Sequence, residues 1–475
     1  MNFLLLRCEG KKGPKEGTGL FYSPSIIYPP LGLLYIAAAL EKDGHKVKLL
    51  DYEAEDFSRN QLESSLKSSD AVGFIVYSNN YKRVSEISNA IKMIDDEIPI
   101  IVGGPHCIFF KDRSLLDIYN ADVSVIGEGD KVIVDIARCL QGKKDISDVN
   151  GIYYRENNRL KQGKPIEIIN DLDSLDFPAR HLIEGYDYGT ISKNITEFAF
   201  KRKFTTMITS RGCPFHCNFC ARYGNIIENY YYRKRSAENI INEIIGMNEK
   251  YNSVLIVDDN FLADNKRAHN IFDKILENNI DLDICIMGSR ADSADVDLYK
   301  KMNKANVKFI SYGIESGNQD VLDFYNKKMT LQQIRDTIKI GRKAGITTVG
   351  SFILGAPIEK KEHLEKTIKF ACSLPLDDAS FDILHYMKGS KLWIEAFKDG
   401  KIKEDEYIVP ADSARGLGNF TVQELKEYRR KAFQKFYYRP SYIFSQIFKA
   451  MLRKDFKIFK RGINFISYLR KDEII

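Results

Sequence analysis

Thr209-Ser-Arg-Gly-Cys-Pro-Phe-His-Cys-Asn-Phe-Cys-Ala-Arg222 sets Cys213, Cys217 and Cys220 in a C-x3-C-x2-C spacing, and no fourth cysteine lies within reach. Three thiolates can hold three irons of a 4Fe-4S cube and leave the fourth iron open to an exchangeable ligand. Two other readings compete. A structural zinc site wants four closed ligands, and His216 would have to share a very short loop with all three sulfurs. Three buried thiols without metal fit less well, because Gly212, Pro214 and the interleaved polar residues describe a loop rather than a core segment.

This loop resembles the cluster-binding loop of the radical S-adenosylmethionine (SAM) superfamily. The resemblance covers roughly Lys203 to Lys388. It implies that the open iron chelates the amino and carboxylate groups of SAM, and that Phe219, the aromatic residue before the last cysteine, packs near the adenine.

A chain of 475 residues, 44% hydrophobic, should divide into two or three domains. It contains no run of about eighteen uncharged apolar residues, and its N-terminus lacks the pattern of a secretory signal, so a cytoplasmic location is expected. Eight cysteines in this length make no disulfide framework. Cys8, Cys107, Cys139, Cys285 and Cys372 are scattered singly among apolar neighbours, as buried thiols are. The net charge of +6 is uneven: from Thr421 onward fourteen Lys/Arg face five Asp/Glu, interleaved with Phe, Tyr, Ile and Leu. Such a tail suits a solvated face, an anionic membrane surface or, third in order, nucleic acid.

In the N-terminal third, short apolar runs alternate with helical spacings: Asn2 to Arg7, Gly32 to Glu41, Lys46 to Leu50, Ala71 to Tyr77, Val84 to Ile94, Ile98 to Val102 and Asp122 to Ile126. This order predicts a doubly wound, Rossmann-like α/β domain with a parallel sheet covered on both faces. Ligands of such sheets sit outside the carboxyl ends of strands, where Ser78, Gly103-Gly104, His106 and Gly127-Glu128-Gly129 would share a rim. Ordinary turns would look the same. A dinucleotide fingerprint is missing, since the first strand leads to Gly10 and Gly13 without G-x-G-x-x-G. Placed before the cysteine loop, however, this third is similar to the cobalamin-binding domain of the cobalamin-dependent radical SAM enzymes. Pro30 to Leu40, Gly44 to Val47, Gly103 to His106 and Gly127 to Gly129 fall in that family's order. The resemblance implies cobalamin as a cofactor, with Ser78, Gly103, Gly104, His106, Gly127 and Glu128 as candidate contacts. The D-x-H-x-x-G motif of other cobalamin proteins is absent, because Lys48 stands where its glycine belongs after Asp43-Gly44-His45. Cobalamin would therefore be held without a histidine on its lower face.

Gly151 to Ile169 reads as a small hairpin around Glu156-Asn157-Asn158, and Leu172 to Ile183 as an irregular crossing. The domains expected are 1–145 of cobalamin-binding type, a linker at 146–200, a radical SAM partial barrel at 201–400, and a helical, basic segment at 401–475. Six strand candidates, from Phe204 to Thr209 through Ala379 to Leu384, alternate with helices in the barrel. Such folds gather chemistry at the carboxyl ends of their strands. There the superfamily resemblance places Asp258 and Asp259 by the SAM amino group, Arg290 by its carboxylate, Glu315 on the ribose hydroxyls and the backbone at Gly355 against adenine. A helix cap at Asp258 and a surface salt bridge at Arg290 are the plainer alternatives.

The resemblance further implies that an electron from an external flavodoxin or ferredoxin splits SAM to a 5'-deoxyadenosyl radical, and that methylcobalamin delivers methyl to an unactivated carbon of a small-molecule or lipid-like substrate. Cyclisation, carbon-carbon coupling or oxidation by the same radical is the alternative outcome. A plain electron carrier or nucleic-acid binder is the alternative of another class. The basic C-terminal segment admits peripheral contact with the inner membrane face.

Overall fold

The computed structural model describes residues 1–9, 27–188 and 203–453. These form two units, one of residues 1–9, 27–188 and 223–235, the other of 203–222 and 236–453. The end of the expected linker, the first two residues of the expected barrel and the tail 454–475 lie outside the described residues, as do Gly10 and Gly13.

In the first unit five apolar runs become parallel strands, β1 (Asn2–Arg7), β2 (Lys46–Asp51), β3 (Ala71–Ile75), β4 (Ile100–Gly103) and β5 (Val123–Val125), in the order β2-β1-β3-β4-β5. Their helices are α1 (Leu31–Lys42), α2 (Arg59–Leu66), α3 (Tyr81–Lys92), the short α4 (Pro105–Phe110) and α5 (Arg113–Asp117), and α6 (Gly129–Leu140). Leu40, Ile133 and Ile136 of α1 and α6 cover one face of the sheet. Leu62, Val84, Ile87 and Ile91 of α2 and α3 belong to a separate core cluster with Leu4, Leu6, Val72 and Ile100. Burial on both faces is why the strands read as continuous apolar runs rather than alternating ones. The strand order reverses between β1 and β3, and doubly wound sheets bind ligands beyond the strand ends at such a point.

The hairpin expected in the linker does form, as β6 (Ile152–Glu156) and β7 (Arg159–Gln162), with Asn157 and Asn158 both at positive φ as a tight hairpin turn requires. It is not a linker. β6 pairs antiparallel with β5 and extends the sheet, because Ile152 and Tyr154 are apolar enough to join its core. Residues 223–235, expected in the barrel, also belong to the first unit.

The second unit carries six parallel strands, β8 (Phe204–Met207), β11 (Ser253–Ile256), β12 (Asp283–Arg290), β13 (Val307–Glu315), β14 (Thr347–Leu354) and β15 (Asp378–Ile383), paired in that order. Two-residue strands β9 (Ser210–Arg211) and β10 (Arg233–Lys234) fall between β8 and β11 in the chain. The helices that return the chain are α7 (Ala237–Asn248), α8 (Asn265–Glu277), α9 (Val296–Lys304), α10 (Gln319–Phe324), α11 (Leu331–Lys343) and α12 (Lys361–Ser373). Ser236, Asp264, Asp295 and Thr330 each accept a hydrogen bond from a first-turn N–H, so α7, α8, α9 and α11 start where a cap stabilises them by about 1 kcal/mol apiece. After α13 (Lys391–Lys398), helix α14 (Val422–Tyr437) lays Phe433 and Phe436 on Phe381 of β15. Helix α15 (Pro440–Arg453) follows.

Candidate active site

The cysteine loop is tied down at its start by Asp258, just beyond β11. The Asp258 carboxylate is buried and accepts hydrogen bonds from the Thr209 N–H at 2.6 Å, the Thr209 hydroxyl, and the Ser210 hydroxyl at 2.6 Å. Three of its acceptor positions are thereby taken up by the start of the loop, which gives Asp258 an anchoring role beside its expected one at the SAM amino group. Its neighbour Asp259 turns to the loop itself. Burial and the adjacent Asp258 raise the Asp259 carboxyl, against a lowering hydrogen bond from the Gly212 N–H. Gly288 makes this close packing possible: at φ +70, a Cβ there would meet the Asp258 carbonyl oxygen at 2.2 Å.

The far side of the loop is stitched to the segment after α10. The Asn218 N–H donates to the Tyr325 carbonyl at 2.9 Å, the Asn218 amide to the Phe324 carbonyl at 2.6 Å, and the Asn326 amide to the His216 carbonyl at 2.7 Å. Arg222 closes the loop on itself by donating to the Cys213 carbonyl at 3.0 Å and to His216 Nδ1. Beside that guanidinium the His216 ring is held below its ordinary pKa. Burial raises the Cys213, Cys217 and Cys220 thiols, and their mutual proximity adds to the rise at Cys213 and Cys220. Among the described residues no three His, Cys, Asp or Glu side chains converge on a single ion. Thiolates on a cube need no such convergence, because each takes a different iron.

Above this loop stand three buried charges. Lys327 Nζ lies 2.6 Å from Glu315 Oε1 with both side chains buried, and 5.9 Å from the centroid of Phe219. Burial opposes the lysine's charge, yet Glu315 and Cys217 outweigh it and its pKa is raised. Glu315 adopts φ +67 where β13 breaks register with β14, a left-handed conformation that is strained for any residue but glycine and clusters at functional sites. Phe219 meets Tyr325 edge-on at 4.9 Å. Arg290 is 5% exposed, so it is no surface salt bridge. Its guanidinium lies 3.7 Å over the Phe215 ring, and it donates to Asp292 at 2.8 Å and to the Lys327 carbonyl at 2.5 Å.

Arg290 Nη1, Ser289 Oγ and both amide atoms of Asn260 are buried with no hydrogen-bond partner among the described residues. Buried polar groups left unpaired are costly; Ser289 and Arg290 end β12, with the Arg290 guanidinium over Phe215 of the cysteine loop, and Asn260 follows β11. Arg290 offers a donor for a carboxylate and Asn260 an acceptor for an ammonium. That donor set fits SAM, and three thiolates fit a 4Fe-4S cluster with an open corner.

At Gly355, φ +103, a Cβ would meet Leu425 of α14 at 2.7 Å. Its N–H donates to Glu359 at 2.6 Å, as does the Ala356 N–H at 2.8 Å. Glu359 is fully buried, and burial pushes its carboxyl up to about 7.

In the first unit the rim residues divide. His106 is 1% exposed rather than a rim contact. Ser78 Oγ and Asp117 stand at 3.2 and 3.1 Å from its two ring nitrogens, and Tyr81 stacks on it at 4.9 Å. Ser78 is committed to the same contact. Glu128 accepts two hydrogen bonds from Arg233, at 2.8 and 2.9 Å, and another from the Ile169 N–H, which makes it a clamp on residues 223–235 rather than a ligand group. Gly104, φ +110, lets the start of α4 approach the Val76 backbone, and Ile166 packs where a Cβ on Gly127 would stand. Gly103 has only ordinary contacts, and Tyr77 beyond β3 is 40% exposed. His45 and His181 lie at the opposite end of the sheet, before β2 and beside Glu41 at the end of α1. With His106 enclosed, the histidines of this unit fit cobalamin only without an imidazole on its lower face.

Lys327, Asn326 and Arg233 carry no motif in the sequence and act on partners 12, 110 and 105 residues away; Asn218, Arg222, Asn260 and Ser289 stand in stretches the sequence singles out, but nothing there discloses their roles.

Residues 207–371 match the radical SAM superfamily, and residues 19–137 match the B12 binding domain. The chain is 29% identical over 427 residues to an uncharacterized methyltransferase of Pyrococcus horikoshii, covering 89% of this chain and 90% of that one. It is 26% identical over 449 residues to the cytidylyl-2-hydroxyethylphosphonate methyltransferase of Streptomyces wedmorensis, covering 83% of each. In fold it is similar to the cobalamin-dependent S-adenosylmethionine radical enzyme OxsB with aqua-cobalamin and SAM bound, at TM-score 0.73 and 16% identity, over 100% of this chain and 71% of that one.

Proposed function

From a chain that belongs to the radical SAM enzymes carrying a B12-binding domain, we propose a methyltransferase acting on an unactivated carbon of a small-molecule or lipid-like substrate. The single observation that carries this reading is the conjunction, in one chain, of a B12-type sheet with a three-cysteine loop anchored beside unpaired buried donors. When bound, the cluster and SAM supply reductive carbon-sulfur cleavage and cobalamin supplies a methyl carrier; the protein binds, orients and keeps out water.

The residues divide that work as follows. Cys213, Cys217 and Cys220 hold the cluster, and Asp258 and Asn218 hold their loop. Arg290 directs Nη1 to the SAM carboxylate, while Asp259 and Asn260 receive its ammonium. Glu315, fixed by Lys327, accepts from the ribose diol, since a carboxylate takes two such hydrogen bonds. Phe219 lies against the adenine, and the backbone about Gly355 borders it. Gly103, Gly104 and Tyr77 form the cobalamin rim. An external reductase of flavodoxin or ferredoxin type supplies the electron.

Anaerobically reconstituted protein, given SAM labelled in its methyl group and a low-potential reductant, should form deoxyadenosine, and Cys217→Ala should abolish it. Extracts of cells with and without the gene, compared by mass spectrometry, should differ in one compound by a CH2 group. Deoxyadenosine without any methylated product overturns methyl transfer and leaves SAM cleavage standing; no SAM cleavage at all overturns both.

A further inference from the structure

Helix α15 is amphipathic the wrong way round for a domain cover. Tyr442 is its inward anchor: it is 8% exposed, donates to the Asp377 carbonyl at 3.1 Å, and packs on Phe436 and Tyr437 at 5.5 and 5.2 Å. Ser445 adds a second tie, accepting from Arg342 at 3.3 Å. On the opposite side Ile443, Phe444, Phe448 and Met451 are 40%, 70%, 63% and 60% exposed. At a hundred degrees per residue Phe444, Phe448 and Met451 fall in one narrow stripe opposite Tyr442, with Ile443 on its flank. Exposed large apolar residues are unremarkable singly, but a contiguous stripe marks an interaction surface.

The sequence says what kind of surface it meets. Residues 454–475 follow with Lys454, Lys457, Lys460, Arg461, Arg470 and Lys471 against Asp455, Asp472 and Glu473, interleaved with Phe456, Phe459, Phe465 and Tyr468. An exposed aromatic stripe joined to a basic, aromatic run is the chemistry of a helix that lies in the headgroup layer of an anionic bilayer. Among the described residues no helix is long and apolar enough to cross a membrane. We propose that α15 docks this protein on an anionic lipid surface, with Phe444, Phe448 and Met451 entering the headgroup boundary and the net positive charge of residues 454–475 adding attraction to anionic headgroups.

Full-length protein is mixed with phosphatidylcholine vesicles, with and without phosphatidylglycerol, and floated on a density gradient. Wild type should rise with the phosphatidylglycerol vesicles and rise less with phosphatidylcholine alone. F444S/F448S/M451S should bind at least about tenfold more weakly, and K457E/K460E/R461E should lose the preference for phosphatidylglycerol. Because the triple serine variant changes only exposed positions, its melting temperature should match wild type. Wild type failing to float, or the serine variant floating as well as wild type, overturns the proposal. So does a stripe covered by a second copy, seen as a dimer in sedimentation that the serine variant abolishes without any lipid binding. The assay needs neither cofactor nor turnover, so it stands apart from the methyltransferase reading.

Discussion

Lys327→Met leaves Glu315 buried, charged and alone in a left-handed backbone position. Both partners are 6% exposed and 2.6 Å apart. Removing one member of such a pair typically costs about 3–5 kcal/mol, because the remaining charge keeps its desolvation penalty and loses its compensation. The second unit should lose that much stability in urea unfolding, with a melting temperature lower by about 10 °C. The companion variant Glu315→Gln/Lys327→Met removes both charges and should regain most of the loss, since replacing a whole buried pair is often near neutral. It should not regain SAM cleavage, because the proposed ribose acceptor has gone. A Lys327→Met cost under about 1 kcal/mol, or a double variant no more stable than the single one, would refute the claim that the two side chains form one compensated unit.

Gly288→Ala places a methyl group 2.2 Å from the Asp258 carbonyl oxygen at positive φ; it should cost about 2 kcal/mol or more and lower iron loading of reconstituted protein. Arg233→Met strips Glu128 of two hydrogen bonds in a buried site and should destabilise the first unit by about 3 kcal/mol, read by chemical denaturation. Glu359 gives the pH test. Its folded carboxyl, at about 7, binds a proton more tightly than its ordinary 4.5, so stability from this group is greatest below 4.5 and falls as pH rises to about 7. That interval corresponds to about 3 kcal/mol, and Glu359→Gln, which keeps an acceptor for the Gly355 and Ala356 N–H groups, should remove that part of the slope between pH 5 and 8. Equal slopes in wild type and variant would contradict a buried, protonated Glu359.

The parallel strands were legible because burial on both faces writes them as unbroken apolar runs, and the barrel helices because they alternate with those runs; the caps at Ser236, Asp264, Asp295 and Thr330 fix where α7, α8, α9 and α11 begin. The cysteine loop was legible from its three-cysteine spacing together with the resemblance of the whole loop to the radical SAM superfamily. The hairpin β6–β7 was legible as a hairpin, yet its sheet was not, because one exposed and one apolar face suit an edge strand and a free ribbon equally. Lys327 and Arg233 escaped for a different reason. Each acts through a partner that chain order does not disclose, Arg233 on a carboxylate 105 residues earlier. Left-handed Glu315 was equally invisible, since glycine and asparagine announce a positive φ and glutamate does not.

His106 and Arg290 show what separates a ligand group from a packed one. In sequence both follow a strand end, and both are polar residues in a glycine-bearing stretch. In the fold both are buried, so exposure does not tell them apart. Satisfaction does: both nitrogens of His106 have partners and an aromatic ring covers it, whereas Arg290 keeps Nη1 unpaired among the described residues. A buried donor without an acceptor costs about 1–3 kcal/mol, and a folded chain keeps that cost where something else will meet the group. The same criterion sets aside Asp258 and Glu128, whose carboxylates each accept three hydrogen bonds, and retains Asn260 and Ser289. Unmet hydrogen-bonding capacity occurs in both units, but at the strand ends of the second unit Arg290 Nη1 and the Asn260 amide accompany the strain at Glu315, and a cofactor bearing a carboxylate, an ammonium and a diol would meet these groups.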